Sequence, residues 1–261
     1  MISVHDLGLI RSFGLFESVR TYGDKPFLLE AHLKRLFGAA KQVGLKPPLN
    51  RDAMARVIGS LLRKNDFNES LVRIILTGGL AQGLLPQKQP TLIILVDRLH
   101  PFPDWQYEKG IKLMSTPLFR IHPGIKSTVY FSAVVETMRA MRRGFDEVVY
   151  VDEDGAILEG TTFSVFAVLP GPRLVTPKDD VLQGITAECV IQLARRLKIP
   201  VERHPISPRM LRQAHELFIT SSNRELIPAV CVDRLKIGNG QPGPVTRQLH
   251  QAYRSHAKVA S

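Results

Sequence analysis

The chain has 261 residues, of which 44% are hydrophobic, and it carries a formal net charge of +11. This hydrophobic share can fill one large core or two moderate ones, and it excludes an intrinsically disordered chain. Because the basic residues are dispersed along predicted helices without an aromatic stacking motif, the charge indicates a solvated surface, and we expect no nucleic-acid partner.

Two cysteines, Cys189 and Cys231, lie in apolar segments. They are expected to be reduced core residues of a cytoplasmic protein, not a disulfide or a metal pair. The amino terminus lacks the basic start and continuous apolar core of a signal peptide, and no run approaches the ~20 apolar residues of a membrane span. We therefore expect a cytoplasmic protein without a membrane partner.

The first elements of the chain are two strands and two helices. Residues 14 to 29 predict the strands, on either side of a turn at Tyr22-Gly23-Asp24, with the buried face left open. Apolar spacing predicts a helix from about Glu30 to Val43, with Arg35 off its apolar stripe. A second helix, capped by Asn50, is expected to run to about Lys64.

Two further strands are predicted at Ser70 to Thr77 and at Thr91 to Val96. Arg73 is an unexpected charge within the first of them. It could hold a substrate carboxylate if it points into a pocket, or it could lie on the solvent face of the strand; local sequence does not decide. From Arg98 to His122 the chain becomes rich in proline, which indicates a passage between domains.

The central stretch, residues 125 to 168, begins with Lys126 among the apolar residues Ile121, Ile125, Val129 and Phe131. An amine in such surroundings can lose its charge by desolvation and act as a nucleophile, although a surface lysine is the commoner case.

A helix follows the lysine, with a predicted cap at Ser132 and an end at Gly144. Its apolar stripe is expected to be buried and comprises Val134, Val135, Met138 and Met141. A strand at Val148 to Val151, a turn at Glu153-Asp154-Gly155 and a second strand ending at Glu159 predict a hairpin.

The last part of the chain contains a helix start that suits an anion. Ile185 and Thr186 follow Gly184, so their unpaired backbone amides and a hydroxyl face the same end of a helix. Farther on, Ser207 and Pro208 begin another helix, and the strand Glu216 to Thr220 leads into the loop Ser221-Ser222-Asn223.

These motifs together resemble the class IV aminotransferases, which have fold type IV and depend on pyridoxal 5'-phosphate. The family pattern of a lysine, a helix, G-x-x-E, a hairpin and E-G-[ST]-[ST]-x-N-[VL]-F is matched by Lys126, by residues 144–147 and by residues 159–166. The family's amino-terminal motifs correspond to F-E-S-V-R at residues 16–20 and H-L-K-R-L at residues 32–36.

The resemblance implies an α+β fold like that of D-amino acid aminotransferase, with a smaller domain at 1–118, a linker at 119–124 and a larger cofactor-binding domain at 125–261. Lys126 would be the catalytic residue, facing the same cofactor as Glu159. The implied cofactor contacts are Arg35, Lys126, Tyr130, Glu159, Ile185, Thr186 and Ser222. The implied substrate contacts are Phe16, Arg73, Ser221 and Asn223.

Departures from the family pattern bear on the reaction. Ser164 replaces the usual asparagine and Ala187 replaces an arginine, while Val129 and Gly78 stand where D-amino acid enzymes and lyases carry asparagine and arginine. The last two favour a branched-chain-like transaminase acting on an amino acid and a 2-oxo acid. The resemblance to the family also implies a homodimer. Aminodeoxychorismate lyase, D-amino acid aminotransferase and a binding protein without turnover are the alternatives.

Overall fold

The computed structural model describes residues 2–87 and 89–260, in which helices and strands alternate along the chain. The helices are α1 (Leu7–Arg11), α2 (Leu29–Gln42), α3 (Arg51–Asn65), α4 (Asp104–Lys109), α5 (Phe131–Arg142), α6 (Ile185–Arg196), α7 (Pro208–Gln213) and α8 (Pro244–Ala260). The strands are β1 (Gly14–Tyr22), β2 (Lys25–Pro26), β3 (Ser70–Thr77), β4 (Ala81–Gln82), β5 (Leu85–Pro86), β6 (Thr91–Arg98), β7 (Ile111–Thr116), β8 (Glu147–Val151), β9 (Ile157–Gly160), β10 (Ser164–Leu169), β11 (Arg173–Thr176), β12 (Val201–Arg203), β13 (Glu216–Ser221), β14 (Glu225–Val232) and β15 (Leu235–Lys236).

The chain forms two compact units. The first unit runs to His100 and includes Ile125–Val129 and the last residues from Ala257, while the second comprises Pro101–Gly124 and Tyr130–His256. This division differs from the predicted one because residues 101–116 are not part of the first unit: β7 pairs with β8 and β14 in the second. The short segment with the lysine belongs to the first unit because it pairs with β1.

The first unit is an antiparallel sheet with α2 and α3 packed on one face. Its strands lie in the order β2-β1-β3-β6. Alternation along the strands directs apolar residues to the helices. The core comprises Leu15, Val19, Val72, Ile74 and Leu76 of the sheet with Leu33, Leu36, Met54 and Ile58 of the helices. The predicted cap of α3 is confirmed, since Asn50 accepts a hydrogen bond of 2.8 Å from the Ala53 amide.

The second unit is built on a mixed sheet in the order β12-β11-β10-β13-β14-β7-β8-β9. β7 lies inside this sheet, parallel to both β14 and β8, and the sequence analysis does not predict it. The predicted hairpin is confirmed as the antiparallel pair β8 and β9, which places Glu159 within β9. The predicted cap of α7 is confirmed too, because the Ser207 hydroxyl accepts from the Met210 amide.

The prediction for the face of α5 is wrong. Its apolar stripe is exposed, and its buried residues are Ala133 and Ala140. Ser132 does not cap the helix, which begins one residue earlier at Phe131 and has no side-chain cap. Helical spacing shows that one face is apolar but not which face the rest of the unit covers, and here small alanines allow close packing on the sheet.

Among residues 2–87 and 89–260, no helix is long and apolar enough to cross a membrane, and no cluster of acidic, histidine or cysteine side chains could hold a metal ion. Both cysteines are free thiols, Cys189 being buried and Cys231 partly exposed. Burial raises the pKa of Cys189 to about 11, as expected of an unreactive core thiol.

Candidate active site

Lys126 lies in a short extended segment that pairs with the start of β1. The Phe16 amide donates to the Lys126 carbonyl at 3.0 Å, and the Thr128 amide donates to the Gly14 carbonyl at 2.9 Å. These bonds place the Lys126 side chain beside Phe16, with Nζ 4.5 Å from the centre of the aromatic ring. The structure therefore brings together two residues that were predicted to serve cofactor and substrate.

The apolar surroundings of Lys126 differ from those predicted. Val129 is 56% exposed, Ile121 68% and Phe131 81%, so these side chains do not enclose an amine. Ile125 does pack against the core of the first unit. The ring of Phe16 is an apolar group that the amine contacts, and no local pattern in the sequence predicts that pairing.

Arg35, the predicted phosphate contact, belongs to a buried charged cluster in the first unit. Its Nε donates to Oε1 of Glu17 at 2.7 Å and its Nη2 donates to Oε2 at 2.8 Å. Nδ1 of His32 lies 2.7 Å from the same Oε2. The Glu17 side chain is 1% exposed and that of Arg35 16%, so the carboxylate lies behind the guanidinium.

The charges in this cluster are fixed by their contacts. Burial alone would raise the pKa of Glu17, but hydrogen bonds from Arg35 and His32 and their charges outweigh it, and the pKa is lowered to about 2. Burial lowers the pKa of His32 despite its bond to Glu17, and the charges of Arg35 and Lys126 add to this effect. Near neutral pH the cluster is therefore a carboxylate, a guanidinium and a neutral imidazole.

Glu159, predicted to contact the cofactor ring, lies in a second buried cluster in the other unit. Its Oε1 accepts from Nε of Arg120 at 2.9 Å, and its Oε2 accepts from the Leu182 amide at 3.3 Å. Nη2 of Arg120 donates to the Thr161 carbonyl at 3.1 Å. The ring of Tyr130, another predicted cofactor contact, is centred 5.7 Å from the guanidinium carbon.

Arg120 is a candidate site residue that no sequence pattern predicted. Its side chain is only 9% exposed and that of Glu159 only 5%. Burial lowers the pKa of Arg120, but the charge of Glu159 and the contact with Tyr130 outweigh it and raise that pKa. The one signal in the sequence was a lone arginine within the proline-rich passage, flanked by Phe119 and Ile121, both of which are exposed.

The start of α6 has the predicted character of an anion site. Gly184 occupies the cap position and offers no side chain to the amides of Ile185 and Thr186. A Cβ atom on Gly184 would lie 2.6 Å from the Ser164 hydroxyl, so a larger residue would require that hydroxyl to move. Thr220 pairs with Ser164 on the same face of the sheet, and its buried hydroxyl has no hydrogen-bond partner.

The turn after β13 contains the remaining predicted contacts. The Ser221 hydroxyl donates to Oδ1 of Asn223 at 3.0 Å, and Ser222 between them is partly exposed. Arg224 ties this turn to the loop after Glu159, because its Nη1 donates to the Thr162 hydroxyl at 2.7 Å.

Arg224 also forms a buried ion pair with Glu147 at the start of β8. Burial raises the pKa of Glu147 more than the charge of Arg224 lowers it. The guanidinium lies 4.7 Å from the centre of the Phe102 ring. The pair therefore links β8 to the turn that carries Ser221, Ser222 and Asn223.

Arg73 is on the partly exposed face of its strand. Its side chain is 47% exposed and pairs with Asp97 at 3.4 Å. It lies opposite Ser18 of β1, two residues from Phe16. A solvent-facing arginine and a substrate contact are both compatible with this position, so its role stays a prediction.

The residues present fit pyridoxal phosphate. An amine at Lys126, a buried carboxylate at Glu159 and an uncapped helix start at Ile185 supply the three groups that the cofactor requires. The unpartnered hydroxyl of Thr220 next to Ser164 gives an independent sign that the region of the helix start has polar capacity beyond its internal contacts.

Comparisons with known proteins agree with this chemistry. The family model of amino-transferase class IV matches residues 14–231. A putative branched-chain-amino-acid aminotransferase of Methanocaldococcus jannaschii is 32% identical, over 97% of this chain and 90% of the relative.

Solved structures extend the similarity to the whole fold. The branched-chain amino acid aminotransferase of Escherichia coli has a TM-score of 0.93 at 26% identity and covers 100% of this chain and 91% of its own. The T.th. branched-chain amino acid aminotransferase with pyridoxamine 5'-phosphate has a TM-score of 0.93 at 25% identity, covering 100% and 90%. A putative 4-amino-4-deoxychorismate lyase of Legionella pneumophila shares the fold, with a TM-score of 0.87 at 22% identity. The match covers 98% of this chain and 95% of the lyase. The chain therefore belongs to the class IV aminotransferases, a family of fold type IV transaminases that use pyridoxal phosphate.

Proposed function

We propose that this enzyme transfers the amino group between a branched-chain amino acid and a 2-oxo acid, with pyridoxal 5'-phosphate as its cofactor. Similarity over nearly the whole chain to aminotransferases of branched-chain amino acids supports the substrate class. The observation that carries the proposal is the position of the Lys126 amine, 4.5 Å from the centre of the Phe16 ring. An aromatic ring beside the reacting amine suits a substrate with an aliphatic side chain.

Each proposed role matches the chemistry of its side chain. Pyridoxal phosphate supplies the electron sink that stabilises negative charge at the substrate α-carbon. Lys126 would hold the cofactor covalently through its amine, and that amine would move the proton at the substrate α-carbon. Glu159 would keep the ring nitrogen protonated, and the Tyr130 hydroxyl would contact the phenolic oxygen.

The remaining proposed contacts bind anions. The phosphate would be bound by the Arg35 guanidinium, the amides of Ile185 and Thr186, and the Ser222 hydroxyl. Phe16, Arg73, Ser221 and Asn223 are the proposed substrate contacts.

The test combines a cofactor assay with a substrate panel. We expect the purified protein to absorb visible light and to transfer amino groups from L-leucine, L-isoleucine and L-valine to 2-oxoglutarate. Lys126→Ala should lose the visible band and slow the transfer at least about 10²–10⁴-fold, since it removes both anchor and proton carrier. Lys112→Ala, on the exposed part of β7, is the control for loss of a lysine charge.

Two outcomes would replace the proposal by another. Transfer from D-alanine in preference to L-leucine would identify a D-amino acid aminotransferase. Release of pyruvate from aminodeoxychorismate, without transamination of the L-amino acids, would identify a lyase. A colourless protein that binds no pyridoxal phosphate would refute cofactor catalysis altogether.

We also propose that the enzyme is a cytoplasmic homodimer. The free thiols support a reducing compartment. The exposed stripe on α5 supports association, because it comprises Phe131, Val134, Val135, Met138 and Met141, each at least 45% exposed. Sedimentation should show a dimer that Met138→Glu dissociates and Val259→Glu, an exposed apolar position on α8, does not. A monomeric wild-type protein would refute the dimer.

A further inference from the structure

We infer that Glu17 and His32 are positioning residues that hold the Arg35 guanidinium in the orientation in which it binds the cofactor phosphate. This inference rests on the proposed function, because it takes Arg35 as a phosphate contact. It goes beyond the proposal by assigning a role to two buried residues that have no proposed contact with the substrate or the cofactor.

The geometry of the ion pair is that of a two-point clamp. Nε and Nη2 of Arg35 donate to different oxygens of the same carboxylate, at 2.7 Å and 2.8 Å. Two parallel bonds fix the plane of a guanidinium as well as its position, which one bond or a diffuse charge attraction cannot do. An arginine side chain otherwise samples many rotamers, and ordering it would oppose binding.

His32 fixes the clamp in turn. Its Nδ1 lies 2.7 Å from Oε2 of Glu17, the oxygen that also accepts from Nη2 of Arg35. The neutral imidazole must carry its proton on Nδ1 to bond a carboxylate, so it acts as a donor. The carboxylate therefore cannot rotate without losing a buried hydrogen bond.

The sequence places these groups on two elements that pack together. Glu17 lies on the buried face of β1, where it is fully shielded from solvent. His32 and Arg35 are three residues apart on α2, so their side chains share the face that packs on the strand. The two amino-terminal motifs thus meet in a single cluster.

Charge and positioning predict opposite effects for one substitution. Glu17→Gln removes a negative charge close to a proposed phosphate contact, so simple electrostatics predicts tighter binding of an anion. If the carboxylate holds Arg35 in place, the same substitution weakens binding, because an amide offers only one acceptor oxygen to the guanidinium.

The experiment compares pyridoxal phosphate with pyridoxal, which lacks the phosphate, on the apo-protein. We expect Glu17→Gln to raise the dissociation constant for pyridoxal phosphate about tenfold and to leave that for pyridoxal unchanged. Glu69→Gln is the matched control, because Glu69 pairs with Arg20 of the same strand at 2.8 Å. It should change neither constant.

Further variants keep the test independent of folding. His32→Leu retains the ion pair and removes the second hydrogen bond to the carboxylate, so a smaller loss, about threefold, is expected for pyridoxal phosphate alone. Arg35→Lys retains the charge but not the fork, and combining it with Glu17→Gln should add little to either single loss. Circular dichroism verifies that each variant is folded.

Several results would overturn the inference. These are tighter or unchanged binding of pyridoxal phosphate by Glu17→Gln, an equal loss for both ligands, or additive effects with Arg35→Lys. If wild-type protein binds pyridoxal phosphate and the phosphate-specific loss is absent, only the positioning role fails. If wild-type protein binds neither ligand, the proposed function fails and the positioning role with it.

Discussion

The two units each bury a carboxylate against an arginine, but the proposed roles of the two partners are reversed. In the first unit Glu17 lies behind Arg35, and the cation is the group proposed to contact the ligand. In the second unit Arg120 pairs with Glu159, and the anion is the group proposed to contact the ligand. The comparison teaches that a buried ion pair can fix either its cation or its anion. The presence of such a pair therefore does not reveal which of the two residues meets the ligand.

The supporting partner differs in how it is itself held. Glu17 accepts a hydrogen bond from a neutral imidazole, whereas Arg120 donates to the Thr161 carbonyl and lies near the ring of Tyr130. In both pairs the supporting residue makes its additional contacts with groups that carry no full opposite charge. These contacts therefore add no third charge that competes with the residue that is proposed to meet the ligand.

The largest expected effect comes from removing a support and leaving its partner buried. Arg120→Met leaves the Glu159 carboxylate buried without its arginine partner. We therefore expect the free energy of unfolding to fall by about 3–5 kcal/mol. Urea unfolding measures it. Arg173→Met, which breaks the half-exposed pair with Glu202, is the control and should change it by less than about 1 kcal/mol. Equal losses in the two variants would contradict the distinction between buried and surface pairs.

Glu159→Gln sharpens the same comparison, since it removes the charge of the proposed cofactor contact and keeps the shape of its side chain. Stability should fall less than in Arg120→Met, while transamination should fall about 10²-fold or more, because an amide cannot stabilise a protonated ring nitrogen. Full activity in Glu159→Gln would remove Glu159 from the proposed site.

A smaller effect is expected from pH acting on the first pair. The pKa of Glu17 is about 2 in the folded protein, against an ordinary value of 4.5. Because the folded value is the lower one, the carboxylate contributes stability that is fully present above pH 4.5 and is lost as the pH falls through 2. The contribution is about 3 kcal/mol. Unfolding curves between about pH 2 and pH 6 should show a steeper loss of stability with falling pH in wild-type protein than in Glu17→Gln.

The smallest expected effect on stability belongs to Arg73, whose partner is solvent-exposed. Arg73→Gln should change the free energy of unfolding by less than about 0.5 kcal/mol. As a proposed contact of the substrate carboxylate, it should raise KM for the amino acid about tenfold with kcat nearly unchanged. An unchanged KM would identify Arg73 as a surface partner of Asp97 only.

Local patterns in the sequence predicted most elements of the first unit correctly. The helices α2 and α3 and the strand β3 follow from spacing and capping that involve neighbouring residues. β7 was not predicted because it is short and its partners β8 and β14 are remote in sequence. The apolar stripe of α5 was correctly identified as a stripe, but its burial depends on what packs against it.

The candidate site divides in the same way. Motifs pointed to Lys126, Glu159 and Arg35 individually, and these remain predictions of cofactor contact. The supporting residues depend on long-range pairing: Arg120 meets a carboxylate 39 positions away, and Glu17 meets a guanidinium 18 positions away. No local pattern encodes such a distance, so the role of Arg120 became apparent only from the structure.

Lys126, the proposed catalytic lysine, lies in a segment that returns to the first unit after the chain has already left it at His100. Most of the first unit is thus synthesised early, but its sheet is completed late, because the outer edge of β1 pairs with Ser127. A fragment ending at His100 would carry an open strand edge at Gly14 and Phe16, which invites aggregation. If the chain were cut between residues 101 and 124, the segment with Lys126 would lose its covalent link to the rest of the first unit. A few backbone hydrogen bonds would then hold it there.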